Sequence, residues 1–333
     1  MTEPSVSTFS LEGAVRLDHT GLIGVRGADA AAFLHSQLTN DFSGLGLGEA
    51  RLAALCSAKG RMLASFVGFK RSHDEIWLAC RADLLAATLK RLRMFVLRAK
   101  VQLEEIAGPV ALIGLSGSKA GDWLQAAAAA DAAALPVWGH LLLDNGASVV
   151  RLPDGAGHSR WLCAAPAETA AQVLGALPAS SLQAWDWLEV QSGVAPVQAA
   201  TVEAFVPQML NYELVGGVNF QKGCYPGQEV VARSQYRGTL KRRALPLHGE
   251  APMAAAQEVY WSGDVGQPSG VVAAAAPAPG GGHDALVELK LAAIESGSLH
   301  LGSADGPALT LRALPYALPA AATTPARETA APN

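Results

Sequence analysis

The sequence predicts an α+β fold of two mixed helix-and-strand lobes followed by a small β-barrel. Three observations carry that prediction. From about residue 10 to residue 239, apolar runs of strand length alternate with segments of helical period. After Leu240 the helical period disappears, and short apolar stretches alternate with Gly, Pro and Asp turns as far as Leu314. Half of the 333 residues are hydrophobic and only 16% are charged, enough apolar material for about two domains with real cores. The expected organisation is a region 1–239 made of two α/β lobes, about 10–109 and 110–239, either in line or interleaved. A barrel over 240–316 and a disordered tail over 317–333, rich in Ala, Pro and Thr, complete the chain.

The elements follow in order. Gly21–Val25 reads as a strand, and Asp29 as the cap of a helix Ala30–Leu38 whose Phe33, Leu34 and Leu38 share one face. Arg51–Ser57 and Met62–Lys70 form a strand pair turned at Lys59-Gly60-Arg61. Glu75–Ala79 is a further strand. Asp83 then caps a helix of about four turns carrying Leu84, Leu85, Leu89 and Leu92. In the second lobe a strand at Val110–Leu115 precedes an alanine-rich helix at Ser118–Leu135. Strands at Leu141–Leu143, Ser148–Leu152 and Trp161–Ala164 lead to a helix at Ala167–Leu177. Within the barrel, Pro277–Gly282 reads as a mobile loop.

Net charge is −4, which excludes a generally basic nucleic-acid binder. No basic-then-apolar leader opens the sequence, and no apolar run reaches membrane-span length. Four widely spaced cysteines suit a reducing compartment better than a disulfide framework, so a cytoplasmic location is expected. Cys56, Cys80 and Cys163 lie among apolar neighbours and read as small buried hydrophobes.

Cys224 reads differently. It sits in Lys222-Gly223-Cys224-Tyr225-Pro226-Gly227-Gln228-Glu229, where two glycines and a proline dictate a tight, shaped turn. Burying so many polar neighbours would strand them, so the thiol is expected at the surface. Lys222 is positioned in sequence to favour a reactive thiolate. From Lys222 to Arg243 there are six cations against Glu229 alone, a field that attracts an anionic ligand: a polyglutamate tail, a phosphate or RNA. Glu229 suits the first turn of a helix and Arg233 lies one turn later, a structural pairing by default.

The run Asn219–Glu229, with Val231-Ala232-Arg233 and Arg237-Gly238, resembles the signature of the YgfZ-type folate-binding proteins, relatives of the glycine-cleavage T-protein (aminomethyltransferase). Supporting matches are Gln37–Asp41, Ala58–Arg61, Gly193 with Pro196, Pro207-Gln208 and Leu314-Pro315-Tyr316, so the resemblance spans roughly residues 10–316. It implies three lobes around a central folate pocket, with the barrel as the last lobe. It also implies a folate-binding accessory protein, without turnover of its own, that supports iron–sulfur cluster assembly or repair in client enzymes and through them affects tRNA modification. Cys224 is the residue that the resemblance ties most closely to activity, with Lys222 beside it. Tetrahydrofolate or a derivative is the implied cofactor, held by Trp185, Gln191, Tyr225, Gly227, Gln228, Glu229 and Arg233.

Two departures from the T-protein matter. Arg61–Gly68 contains no acid, where the T-protein carries a carboxylate pair, which argues against a working aminomethyltransferase. Gln191 stands two residues before Gly193, where the T-protein reads the pterin edge with a glutamate; an amide offers one acceptor and one donor group in place of two acceptors. Trp185 is the expected stacking partner for the folate, with Trp187 its rival and a pair of core tryptophans the structural alternative. No tryptophan stands near Thr20. No stable metal site is expected, because one cysteine per chain cannot hold a cluster that normally takes four ligands. Cys224 remains open to three uses: a transient shared iron–sulfur ligand, a nucleophile or redox thiol, or a structural residue. Two other functions stay open, a folate-dependent one-carbon transferase and an RNA-binding module making weak contact through residues 233–243.

Overall fold

The computed structural model describes residues 9–128, 134–236 and 240–319. Two five-stranded antiparallel sheets and a closed six-stranded barrel make up the α+β architecture. Strands β1 (Gly13–Arg16) and β2 (Thr20–Arg26) open the chain, followed by helix α1 (Ala30–Gln37). Strands β3 (Ala50–Cys56), β4 (Met62–Ser72) and β5 (Glu75–Arg81) come next, then α2 (Ala82–Arg93) and β6 (Gln102–Ile106). The first sheet has the order β3-β4-β5-β2-β6. Strand β1 does not join it. Its residues pair with the next strand, β7 (Val110–Ser116), with Gly13 opposite Ser116, and so belong to the second sheet.

That second sheet has the order β1-β7-β10-β9-β8, using β8 (His140–Leu142), β9 (Ser148–Gly155) and β10 (His158–Pro166). Helices α3 (Gly117–Ala128) and α4 (Ala167–Ala176) pack on its outer face over Ile113, Leu115, Trp161 and Cys163. The helix expected to reach Leu135 is described to Ala128; residues 129–133 lie outside the described residues. The opposite face of β10, Leu162 and Ala164, meets the first sheet in an inter-sheet core with Leu22, Phe69 and Trp77. Because β3 and β5 are covered on one face by helices and on the other by this core, their burial is near continuous instead of alternating.

Helix α5 (Leu182–Gln191) closes one end of that inter-sheet space. Its start is fixed by Ser181, whose Oγ accepts the Ala184 N–H at 3.1 Å. Helix α6 (Gln228–Tyr236) follows the glycine-rich turn, with Val231 buried beneath it. The barrel runs β11-β14-β13-β12-β15-β16, formed by β11 (Arg242–Gly249), β12 (Glu258–Trp261), β13 (Gly270–Pro277), β14 (His283–Lys290), β15 (Leu299–Leu301) and β16 (Ala308–Leu311). The tail expected from residue 317 falls largely on 320–333, outside the described residues.

Neither expected cap bonds its helix with its side chain, although Asp29 does hold the N-cap position of α1. The Asp29 carboxylate accepts the Lys100 N–H at 2.7 Å instead of bonding its own helix. Asp83 lies inside the first turn of α2, after Arg81 at the cap position, and accepts the Ala199 N–H at 3.0 Å. Each acid is satisfied by a distant loop that the local sequence does not reveal. Helix α2 has twelve residues, just over three turns, instead of four.

Candidate functional site

The inter-sheet space holds a partly enclosed cavity of about 90 Å³. Leu17, Leu52, Val67 and Leu162 supply apolar walls, while Trp185, Arg160 and Glu189 reach it from β10 and α5. Helical period explains which residues of α5 reach the cavity. Trp185, Glu189 and Ser192 follow i, i+4, i+7 and line it, whereas Trp187 and Gln191 point the other way. Positions two residues apart on a helix are about 200° apart around its axis, so 189 and 191 cannot share a face. Gln191 Nε2 donates to Asp284 Oδ2 of the barrel at 2.9 Å, and Trp187 Nε1 donates to the same oxygen at 2.7 Å. Of these two tryptophans Trp185 therefore lines the cavity, where Trp138 also stands. Gln191, expected at the ligand, is a barrel contact.

Arg160 is 2% exposed and lies over the Trp185 ring at 4.3 Å. Its Nη1 makes only a long 3.5 Å bond to the Pro153 carbonyl, and its Nε and Nη2 have no partner. Burial pushes its guanidinium down to about 10, with Glu189 and Asp186 opposing that shift. Glu189 is deep in the protein yet keeps part of its surface open to the cavity. Desolvation raises its pKa, against the pull of Arg160. Arg160 and Glu189 were not singled out from the sequence. The period of α5 and the alternation of β10, with Arg160, Leu162 and Ala164 on one face, were the signals available.

The glycine-rich turn lies elsewhere. Gly227 has φ +81°, and a Cβ there would meet the Ser57 carbonyl at 2.4 Å, so only glycine lets this turn rest on the β3–β4 connection. Tyr225 is buried beside Cys56, and Cys224 is exposed while Cys56, Cys80 and Cys163 are buried. Burial drives all three hidden thiols up to about 12. Strand β3 links the two regions, running from Leu52 in the cavity wall to Cys56 behind Tyr225, ~13 Å along the strand.

Lys222 is half-buried and does not simply face the thiol. Its Nζ donates to the carbonyls of His35, of Leu38 at 3.0 Å and of Gly223 at 3.3 Å, and it lies 4.5 Å from the centre of the Tyr225 ring. Two of those carbonyls end helix α1, a favourable place for a cation. Desolvation lowers Lys222 to about 8, with Asp41 and Cys224 opposing that shift. His35 completes the support. Its Nε2 accepts the Gly223 N–H at 3.3 Å, which places the ring proton on Nδ1, 2.8 Å from Asp41 Oδ1. The Gly44 N–H, reinforced by His35, holds the Asp41 carboxyl below its ordinary range.

Of the other expected ligand contacts, Tyr225, Gly227, Gln228, Glu229 and Arg233 do not line the central cavity. Gln228 begins α6, and Glu229 and Arg233 form a solvent-facing i,i+4 pair at 3.1 Å. The basic stretch is divided between surface and interior. Arg242 Nε pairs with Glu288 at 2.8 Å, and Arg243 pairs with buried Glu213. Lys241 is exposed, and Arg237 lies outside the described residues. Strand β4 carries no acid towards the cavity. Among the described residues there is no cluster of three or more metal-ligating side chains, and no helix is long and apolar enough to cross a membrane.

Comparison with known proteins agrees with this arrangement. Residues 12–140 match the GCVT N-terminal domain. The chain is 31% identical over 324 residues to the tRNA-modifying protein YgfZ of Klebsiella pneumoniae (strain 342), covering 95% of this chain and 96% of that one. It is 32% identical over 266 residues, 78% of each chain, to the tRNA-modifying protein YgfZ of Yersinia pseudotuberculosis (serotype O:3, strain YPIII). The glycine cleavage system aminomethyltransferase T from Bartonella henselae superimposes with a TM-score of 0.73 over 93% of this chain and 87% of its own, at 19% identity, which shows a shared fold. With the α+β core, the terminal barrel and a likeness to YgfZ proteins along nearly the whole length, the chain belongs to the YgfZ family.

Proposed function

We propose that this protein is a folate-binding accessory factor supporting iron–sulfur cluster assembly or repair in client enzymes, and through them tRNA modification. The observation that carries the reading is Cys224, the exposed thiol on a turn fixed by Gly227, Lys222 and His35 while the other three cysteines are buried. A single exposed thiol suits a brief, shared ligand for a cluster passing between other proteins. The name of the Klebsiella and Yersinia relatives, tRNA-modifying protein, fits the downstream part of the proposal.

The central cavity suits the pterin end of tetrahydrofolate or a derivative. Arg160 has N–H groups to offer an acceptor, and Trp185 supplies an aromatic wall. A bound folate would supply one-carbon carrier chemistry, whereas this chain's own residues would bind and orient its ring. β4 carries no carboxylate where the T-protein has its acid pair, so turnover as an aminomethyltransferase is not part of the proposal.

The test is Cys224→Ser in cells lacking the native protein. Iron–sulfur enzyme activities and tRNA modification are scored beside folate binding by the purified variant. The expected result is loss of both cellular readouts with normal folate binding and thermal stability. Normal cellular activities would remove the assembly role.

A further inference from the structure

The end of helix α2 carries a basic and apolar patch that the proposed site does not use. Residues 90–100 contain five cations and no acid. None of Lys90, Arg91, Arg93, Arg98 and Lys100 forms an ion pair with a described residue. The acids of the neighbouring elements are engaged elsewhere: Glu104 pairs with Arg26, and the carboxylates of Asp29 and Asp83 accept the N–H groups of Lys100 and Ala199. Among the same cations stand apolar side chains open to water. Leu97 is 88% exposed, more than any other large apolar side chain among the described residues, and Met94 is 67% exposed.

A strained turn presents Leu97. The Ala99 N–H donates to the Val96 carbonyl at 2.8 Å, and Val96 and Ala99 pack on the core of the lobe, so Leu97 is turned outward at φ +42°. Leucine is disfavoured there twice, by a backbone that suits glycine or asparagine and by the surrounding water; both point to a contact outside the chain. Beside Met94 an open groove of about 460 Å³ runs between α2 and β6, lined by Ala86, Leu89, Lys90, Arg93, Met94 and Glu105. An acidic amphipathic polypeptide complements all of this: carboxylates for the cations, a side chain for the groove and apolar cover for Leu97. Nucleic acid offers Leu97 and Met94 little apolar cover, and a flat bilayer has no side chain to fill the groove. We infer that residues 90–100 form the docking surface for a protein partner that presents such a segment. That this partner is the iron–sulfur client rests on the assembly reading above. Helix α1 joins the two regions: its start holds the Lys100 N–H through Asp29, and its end holds Lys222 through the His35 and Leu38 carbonyls. Its eight residues span about 12 Å, so one client can reach the patch and Cys224 together.

The probe is a fluorescent amphipathic peptide of Glu, Leu and Ala, titrated against the full chain by anisotropy. Wild type should bind it. Leu97→Asn suits the turn, so the melting temperature should not fall, yet binding should weaken by about 10-fold. Lys90→Glu with Arg98→Glu should weaken it as much, whereas Lys119→Glu, an exposed cation on α3, should leave it unchanged. In cells lacking the native protein, both patch variants should lose iron–sulfur enzyme activities while the purified variants keep an accessible Cys224 thiol. No binding of the peptide by wild type, or binding that neither patch variant weakens, would overturn the docking surface. Weaker binding of purified tRNA or of phosphatidylglycerol vesicles by Leu97→Asn would assign the patch to nucleic acid or to a membrane and overturn it as well. Normal cellular activities in the patch variants, with loss in Cys224→Ser, would remove the client as the partner. Normal activities in Cys224→Ser too would remove the assembly reading, and peptide binding would then carry the docking surface alone.

Discussion

Replacing Arg243 by methionine separates a structural role for the basic stretch from a nucleic-acid one. The guanidinium is 7% exposed and its partner Glu213 is 4% exposed, so the pair lies within the junction between the barrel and the 207–213 segment. Arg243 Nη1 also donates to the Gln208 carbonyl at 3.2 Å and to Asn211 Oδ1 at 3.3 Å. Methionine fills most of the volume but leaves Glu213 charged and unpaired, which costs about 3–5 kcal/mol. For a chain of 333 residues that corresponds to a fall of about 4–7 °C in melting temperature. The deficit should depend on pH with a definite sign. Burial already raises the Glu213 pKa against the opposing effect of Arg243, and without the arginine it rises further above the unfolded value. The folded variant therefore takes up a proton more readily than its unfolded form, and the deficit is greatest at high pH and shrinks as pH falls. Denaturant unfolding at pH 8 and pH 5, with Glu213→Gln added to the same chain as the rescue, measures each part. A deficit below about 1 kcal/mol, or one equal at both pH values, would refute the reasoning. The salt dependence of tRNA binding, measured beside it, should not change, because this cation faces the interior.

Native protein treated with a disulfide reagent at pH 8 should label one thiol quickly and the other three only after unfolding. Cys224→Ser should abolish the fast phase and shift stability by no more than about 0.5 kcal/mol; two fast thiols would contradict the burial of Cys56, Cys80 and Cys163. Gly227→Ala forces a side chain into a φ of +81° and against the Ser57 carbonyl, so thermal melting should show a loss of roughly 1–3 kcal/mol or more. Lys222 has a folded pKa of about 8 against 10.5 ordinarily, so the unfolded chain binds more protons between those values. Wild type should therefore gain stability relative to Lys222→Met as pH rises from 8 to 10.5; a constant difference would mean that the amine is not desolvated.

Some parts of the fold are legible in the sequence because the controlling forces are local. Gly223, Pro226 and Gly227 dictate a turn whatever surrounds them, and the turn leaves Cys224 exposed. Apolar neighbours around Cys56, Cys80 and Cys163 correctly indicate burial. The loss of helical period after Leu240 corresponds to the closed barrel. Other features depend on tertiary closure. Strand β1 looks like the start of the first lobe but pairs with β7, an outcome set by contacts a hundred residues away. Helix α5 is hard to read because Trp185 and Trp187 favour strands, and its one clear local signal is the Ser181 cap. Arg160 looks like an ordinary surface charge until two sheets close over it. Lys222 is adjacent in sequence to the thiol, yet its bonds run to the end of α1.

Asp284 gives the barrel its grip on the rest of the molecule. This single carboxylate, only 13% exposed, takes a bond from His248 Nδ1 at 2.7 Å within the barrel and two more from Trp187 and Gln191 on α5. The same helix walls the cavity with its other side. The barrel is thus riveted through the helix to the wall of the central cavity, and it cannot swing outward without either dragging Trp185 and Glu189 along or stranding a charged group in a dry seam.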